Sequence, residues 1–244
     1  MCKLYYSEFH KIKWSVISVM VLLEGIVTWL LAAGNVKSLS YYFPYNWTTL
    51  YFQAVSFHGM FFLPLFAGIF AAFLCFYEHK DGAWKQLLAL PYPRWKIFLS
   101  KFLALVTLIA VMQLLFLAEY LITGNVTGVE DAIPWKSVLQ GIWGGWLACF
   151  PLAMLQIVLT SRFKSFGIAL LFSISSVVPN IVLSGLPASL GAWFPFIPPY
   201  YAMFPQELAL SPRLEPVSFV LILGVTFFIY LAIGLRSFIR KDCM

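Results

Sequence analysis

The chain has 244 residues, 61% of them apolar and 11% charged, where ordinary soluble domains carry about 25% charged residues. Sixteen basic and ten acidic side chains cannot cover a soluble fold of this length, so composition excludes a water-soluble domain and implies a helical integral membrane protein. The net charge of +6 is explained by where the basic residues sit, and no nucleic-acid partner is expected.

The first residues, MCKLYYSEFHKIKW, are too polar for a cleavable signal peptide, and the apolar run that follows is too long for one. A membrane-spanning helix needs roughly 20 mostly apolar residues. Six segments qualify: Trp14–Ala33, Val55–Tyr77, Phe98–Ile122, Val138–Thr160, Phe166–Leu186 and Val217–Leu235. No internal repeat is visible, so residues 1–244 are read as one transmembrane domain.

Lys and Arg residues set the expected orientation. Thirteen fall before the first span, in the second and fourth loops and after the sixth span. Only Lys37, Lys136 and Arg213 fall in the odd-numbered loops. Both termini are therefore expected in the cytoplasm of a cell membrane. On the outer side, residues 35–54 carry Tyr41, Tyr42, Phe43, Tyr45, Trp47, Tyr51 and Phe52, a composition suited to an interfacial aromatic belt. Residues 187–216 carry seven prolines among Trp and Phe. That stretch is too broken to span and too apolar to hang free, so it reads as a re-entrant segment packed on protein.

Glu24 and Glu119 lie within spans. An intramembrane ionisable residue is costly and marks a candidate pathway, so both are candidates for the translocation path. The alternative is a plain interior polar contact or, for Glu119, a reach to the interface. Pro64, Pro151 and Pro179 are expected to kink their helices, and Gly141, Gly144 and Gly145 to allow close packing. Asn46-Trp47-Thr48 and Asn125-Val126-Thr127 match the glycosylation acceptor pattern, which also arises often by chance. Cys2, Cys75, Cys149 and Cys243 show neither a disulfide framework nor metal spacing. The sequence contains no H-E-x-x-H, no G-x-S-x-G and no G-x-x-x-x-G-K-[ST]. It therefore offers no recognisable zinc, serine-hydrolase or phosphate-loop chemistry, and no cofactor is expected.

The stretch from Glu78 to Lys101 holds five basic residues between two apolar spans. Trp84, Leu87 and Leu88 fall at i, i+3 and i+4, one apolar stripe on a short helix, and Pro91 and Pro93 end it. This loop, with Glu78, Gly82, Lys85, Leu87, Leu88, Pro91, Arg94 and Lys101, resembles the loop between the second and third spans of ABC-2 type transporter permeases. Trp84 is bulkier than the residue usual there. Ser7-Glu8-Phe9-His10-Lys11-Ile12-Lys13 is similar to the amphipathic N-terminal helix of the same family. The specific motifs cover about 30 residues, while six spans and an apolar, proline-rich segment before the last agree over the whole chain. The finer likeness is to short permeases that export lantibiotics or bacitracin for self-protection.

The resemblance implies a partner cytosolic ABC ATPase, which hydrolyses ATP, and a second permease copy or sister permease in membrane lipid. It implies that the helix carrying Trp84, Leu87 and Leu88 is the coupling helix docked on that ATPase. The cargo expected from the apolar outer segment is amphipathic or hydrophobic, such as a membrane-active peptide. The competing readings are a membrane-embedded enzyme acting on lipid or peptide and a non-catalytic membrane assembly protein.

Overall fold

The computed structural model describes residues 2–39, 44–79, 91–163, 165–208, 211–212 and 214–239. The described residues form ten α-helices and one π-helical turn. A short α1 (Cys2–His10) precedes α2 (Trp14–Leu39). Next come α3 (Trp47–Phe57), a π turn (His58–Phe62) and α4 (Leu63–His79), which follow one another without a break. Then come α5 (Arg94–Val126), α6 (Trp135–Arg162), α7 (Phe166–Ser184), two short helices α8 (Ala188–Gly191) and α9 (Pro198–Met203), and α10 (Pro216–Ile239). Six helical stretches are long and apolar enough to cross a membrane, so the all-α, six-span expectation holds.

Helices α4 and α6 form the core, flanked by α5. Leu63, Ala67, Phe70, Leu74, Leu105, Ile109, Leu152 and Ile157 are buried there. Helices α2, α7 and α10 are peripheral. Leu22, Leu30, Leu171, Val182, Val220 and Phe228 stay exposed on them, as expected of surfaces that face lipid or a partner chain.

The second span begins eight residues before the expected Val55. Trp47 and Tyr51 do not form an interfacial belt. They are buried and meet Tyr120 edge to face, each at a ring separation of 5.3 Å, while the Tyr120 hydroxyl donates to the Trp47 carbonyl. Asn46 starts this helix by accepting from the Thr49 amide, an N-cap that fixes where the chain turns inward. Asn125 of the other acceptor triplet donates to the Leu121 carbonyl on its own helix.

Pro64 acts through hydrogen bonds. Proline lacks an N–H, so the carbonyl four residues back, Met60, loses its helical partner. The chain answers in two ways. It widens into the π turn, with the Leu63 amide bonding the His58 carbonyl, and the Asn180 side chain donates to the Met60 carbonyl at 2.6 Å. Helices α6 and α7 run through Pro151 and Pro179 as continuous helices.

The proline-rich segment packs on protein, as its composition implies. Phe196, Ile197, Tyr200, Tyr201 and Met203 are buried, and α9 lies along α6. Gly141 and Gly145 of α6 make room for α3 and for this segment. A Cβ on Gly141 would strike the Tyr51 hydroxyl and one on Gly145 would strike Met203, whereas one on Gly144 would meet Ala202 only at ordinary contact distance. Gly145 lies ten residues into α6, roughly 15 Å from its start. The segment thus descends well below the helix ends before turning back at Met203.

Candidate functional site

Among the described residues, two clusters of buried ionisable groups interrupt the apolar bundle. The first joins the end of α4, the start of α5 and α1. Lys101 is fully buried within α5, although sequence alone places it at the mouth of a loop. Its ammonium donates to Glu8 Oε2 at 3.0 Å, to Glu78 Oε1 at 2.7 Å and to the Leu74 carbonyl at 2.6 Å. Lys11 joins from the rim, 3.1 Å from Glu8 Oε1 and 2.7 Å from Glu78 Oε1. Two carboxylates and two ammonium groups make the cluster neutral, which is what allows it to be buried. Burial alone raises the Glu78 carboxyl, but Lys101 and then Lys11 outweigh it and hold it below the usual carboxylate range. Glu78 Oε2 is buried without a hydrogen bond among the described residues.

Neighbouring contacts close the same end. Arg94 donates to the Ile239 carbonyl at 2.6 Å, tying the start of α5 to the end of α10. Arg162 donates to Ser237 across the ends of α6 and α10. Pro91 lies in the bend just before α5, and Pro93 precedes its first helical residue. The remaining expected coupling residues, Gly82, Trp84, Lys85, Leu87 and Leu88, lie outside the described residues. Glu78 and Lys101 therefore hold the two flanks of that segment together, and α1 is fastened to both.

The second cluster is deep in the bundle. Glu24 of α2 meets His58 Nδ1 at 2.5 Å, and His58 Nε2 meets Gln113 Oε1 of α5 at 3.0 Å. All three are buried. The imidazole stacks on Phe116 at 4.1 Å. A carboxylate against an imidazolium, or a carboxylic acid against a neutral imidazole, leaves the pair neutral in either arrangement. His58 sits in the π turn that Pro64 imposes, and such turns recur at functional positions. Sequence reading passed over His58 and Gln113. The signal was present, since an imidazole in an apolar run is an intramembrane ionisable group like any carboxylate.

Glu119 lies beyond this pair, partly exposed. Its carboxylate crosses the backbone of α2 at Gly25, where a Cβ would collide with it. It borders a cleft between α2, α3 and α5, lined by Gly25, Thr28, Trp29, Leu50, Phe116 and Tyr120. The two candidate pathway carboxylates are thus near neighbours with different surroundings, one paired and enclosed, the other at an opening.

Among curated proteins, no relative matches the chain. The family model described as ABC-2 family transporter protein matches residues 4–180. The matched region runs from α1 through most of α7, and so takes in both polar clusters and the segment between Glu78 and Arg94. With six candidate spans around it, this places the chain as a multi-pass membrane protein: it belongs to the ABC-2 family of transporter proteins and is a transporter permease.

Proposed function

We propose that this permease works in an ATP-driven exporter of amphipathic or hydrophobic molecules, membrane-active peptides among them. Its termini and the 80–90 segment face the cytoplasm, where a separate ABC ATPase docks, and a second permease completes the transmembrane part. The observation that carries this reading is the Lys101 cluster. The residues that carry the family likeness at the N-terminus, Glu8 and Lys11, bond directly to those that flank the expected coupling segment, Glu78 and Lys101. A displacement of that segment would move α1, the end of α4 and the start of α5 together. In this reading Glu78, Gly82, Trp84, Lys85, Leu87, Leu88, Pro91 and Arg94 form the coupling region, and Glu24 and Glu119 border the translocation path.

The Lys and Arg distribution supports the orientation. The apolar stripe of Trp84, Leu87 and Leu88 supports docking, since each such side chain contributes about 1.5–3 kcal/mol when buried. The test changes Leu87 and Leu88 to Glu and places single cysteines at Ala83 or Gln86 in a background without the native cysteines. The double Glu variant should insert normally yet lose ATPase copurification, and the cysteines should cross-link to the ATPase. Normal copurification of the variant with no cross-link from either position removes the coupling assignment.

A further inference from the structure

We infer that the cleft between α2 and α5 binds the cationic group of an amphipathic molecule, a compact ammonium, with Glu119 as its counter-charge. The inference rests on the exporter reading for its biological use, and on the cleft's own chemistry for its specificity. Glu24 and His58 balance one another. Glu119 has no such balance, because no ion pair or hydrogen bond reaches its carboxylate among the described residues. A lone carboxylate at that depth is costly unless a cation meets it.

The surroundings favour a cation further. The Thr28 hydroxyl is buried, borders the cleft and has no hydrogen-bond partner among the described residues. Thr107, Thr127, Thr160 and Thr226 each donate to the carbonyl four residues back; Thr28 does not, and so has an oxygen to offer. Trp29, Phe116 and Tyr120 also line the cleft, and aromatic faces attract a cation held within about 6 Å. Gly25 is the residue that lets the Glu119 carboxylate lie across α2. Glu119 comes seven residues before Val126, the end of α5, so the site lies roughly 10 Å inside that end. A cationic head at this level leaves its apolar tail beside Ile26 and Leu30, which are exposed on α2.

The test reconstitutes the full chain with its copurified partners in phosphatidylcholine nanodiscs. Two photoreactive probes with the same dodecyl chain are compared, one bearing a primary ammonium and one a neutral glucoside. The ammonium probe should label α2 or α5, and Glu119→Gln should weaken its binding at least tenfold while leaving the glucoside unchanged. Glu119→Asp should restore most of the binding. Thr28→Val should weaken the ammonium alone by a few-fold, and it decides the matter if Glu119→Gln fails to insert. Equal binding of the ammonium to parent and Glu119→Gln, or equal loss of both probes, overturns the inference; so does an inserted Thr28→Val that binds both probes like the parent. Displacement of the probe by added phosphatidylethanolamine would assign the site to a lipid head group, and no displacement to a cargo; either result keeps the cation site. Binding that depends on Glu119 without ATP-driven release of the probe would leave this site standing and remove the exporter reading.

Discussion

The cluster around Lys101 and the cluster around His58 solve the same problem in opposite ways. At the first, four charged groups, three from α1, α4 and α5 and one from the turn after α1, cancel, and the Lys101 ammonium is fully enclosed. At the second, one carboxylate is balanced by an imidazole, while its neighbour Glu119 borders an opening. Four charges that cancel across three helix ends serve to hold those ends together. A carboxyl group beside a cleft with no ion-pair partner among the described residues has room for one that arrives. The comparison separates a clamp, which should be sensitive to any single loss, from a pathway, which should tolerate loss of shape better than loss of polarity.

The clamp side of this contrast breaks first at Lys101. Lys101→Met removes one buried cation and leaves Glu8 and Glu78 facing one another with only Lys11, at the rim, between them. Removing one partner of a buried pair costs about 3–5 kcal/mol. The expected outcome is a large fall in membrane level and in the thermal midpoint of solubilised protein. Adding Glu78→Gln to Lys101→Met should recover part of the loss, because it removes the uncompensated charge. A double variant no better than the single one would mean that the ion pairs do not couple.

On the pathway side, Glu24→Leu takes from His58 its only described Nδ1 partner. A buried donor or acceptor left unsatisfied costs about 1–3 kcal/mol. Glu24→Gln keeps the shape and a hydrogen bond. Transport, read as protection of cells or as efflux from vesicles, should fall further with Leu than with Gln at matched membrane levels. Parent-like activity in both variants would remove Glu24 from the path and leave it a packing contact.

A third, smaller effect belongs to the π turn that presents His58. Asn180→Leu withdraws the donor from the Met60 carbonyl, which Pro64 has already deprived of its helical partner. Asn180 Oδ1 is itself buried without a partner among the described residues, so the substitution removes one orphan while creating another. The expected net loss is about 1 kcal/mol, with the transport defect milder than that of Glu24→Leu. Pro64→Ala in the same background should restore stability by returning an N–H to the Met60 carbonyl. Failure of that rescue would detach the π turn from Pro64.

Much of this architecture is legible in hydropathy and charge, because a span must be apolar along about 20 residues whatever its neighbours do. The six spans and the packed proline-rich segment follow from that constraint. Boundaries are less legible. Trp47 and Tyr51 look like interface residues by type, but their burial depends on Tyr120, which lies some 70 residues further on. Lys101 looks like a loop cation because hydropathy has no access to Glu8, 93 positions away. His58 fails for the same reason, its partners being 34 and 55 positions away. What the sequence does mark is each ionisable residue that needs a partner; what it withholds is which one the fold supplies.

The smallest expected effect concerns acid, and it sharpens the clamp reading from the other direction. Glu78 is held below the ordinary carboxylate range in the folded chain, because Lys101 and Lys11 outweigh its burial. An unfolded Glu titrates near about 4.3. The folded form therefore binds fewer protons, so Glu78 contributes stability that is fully present above that value. The contribution is lost as pH falls through the lower, folded value. The thermal midpoint of solubilised protein should be insensitive to Glu78 between about pH 7 and pH 5 and should decline below that. Glu78→Gln starts lower, since it removes the negative charge that pairs with Lys101 and Lys11, and should decline less steeply over the same acid range. Equal acid slopes for parent and variant would mean that the carboxylate is not held ionised by its two lysines, and that the link between α1 and the flanks of the 80–90 segment is packing rather than charge.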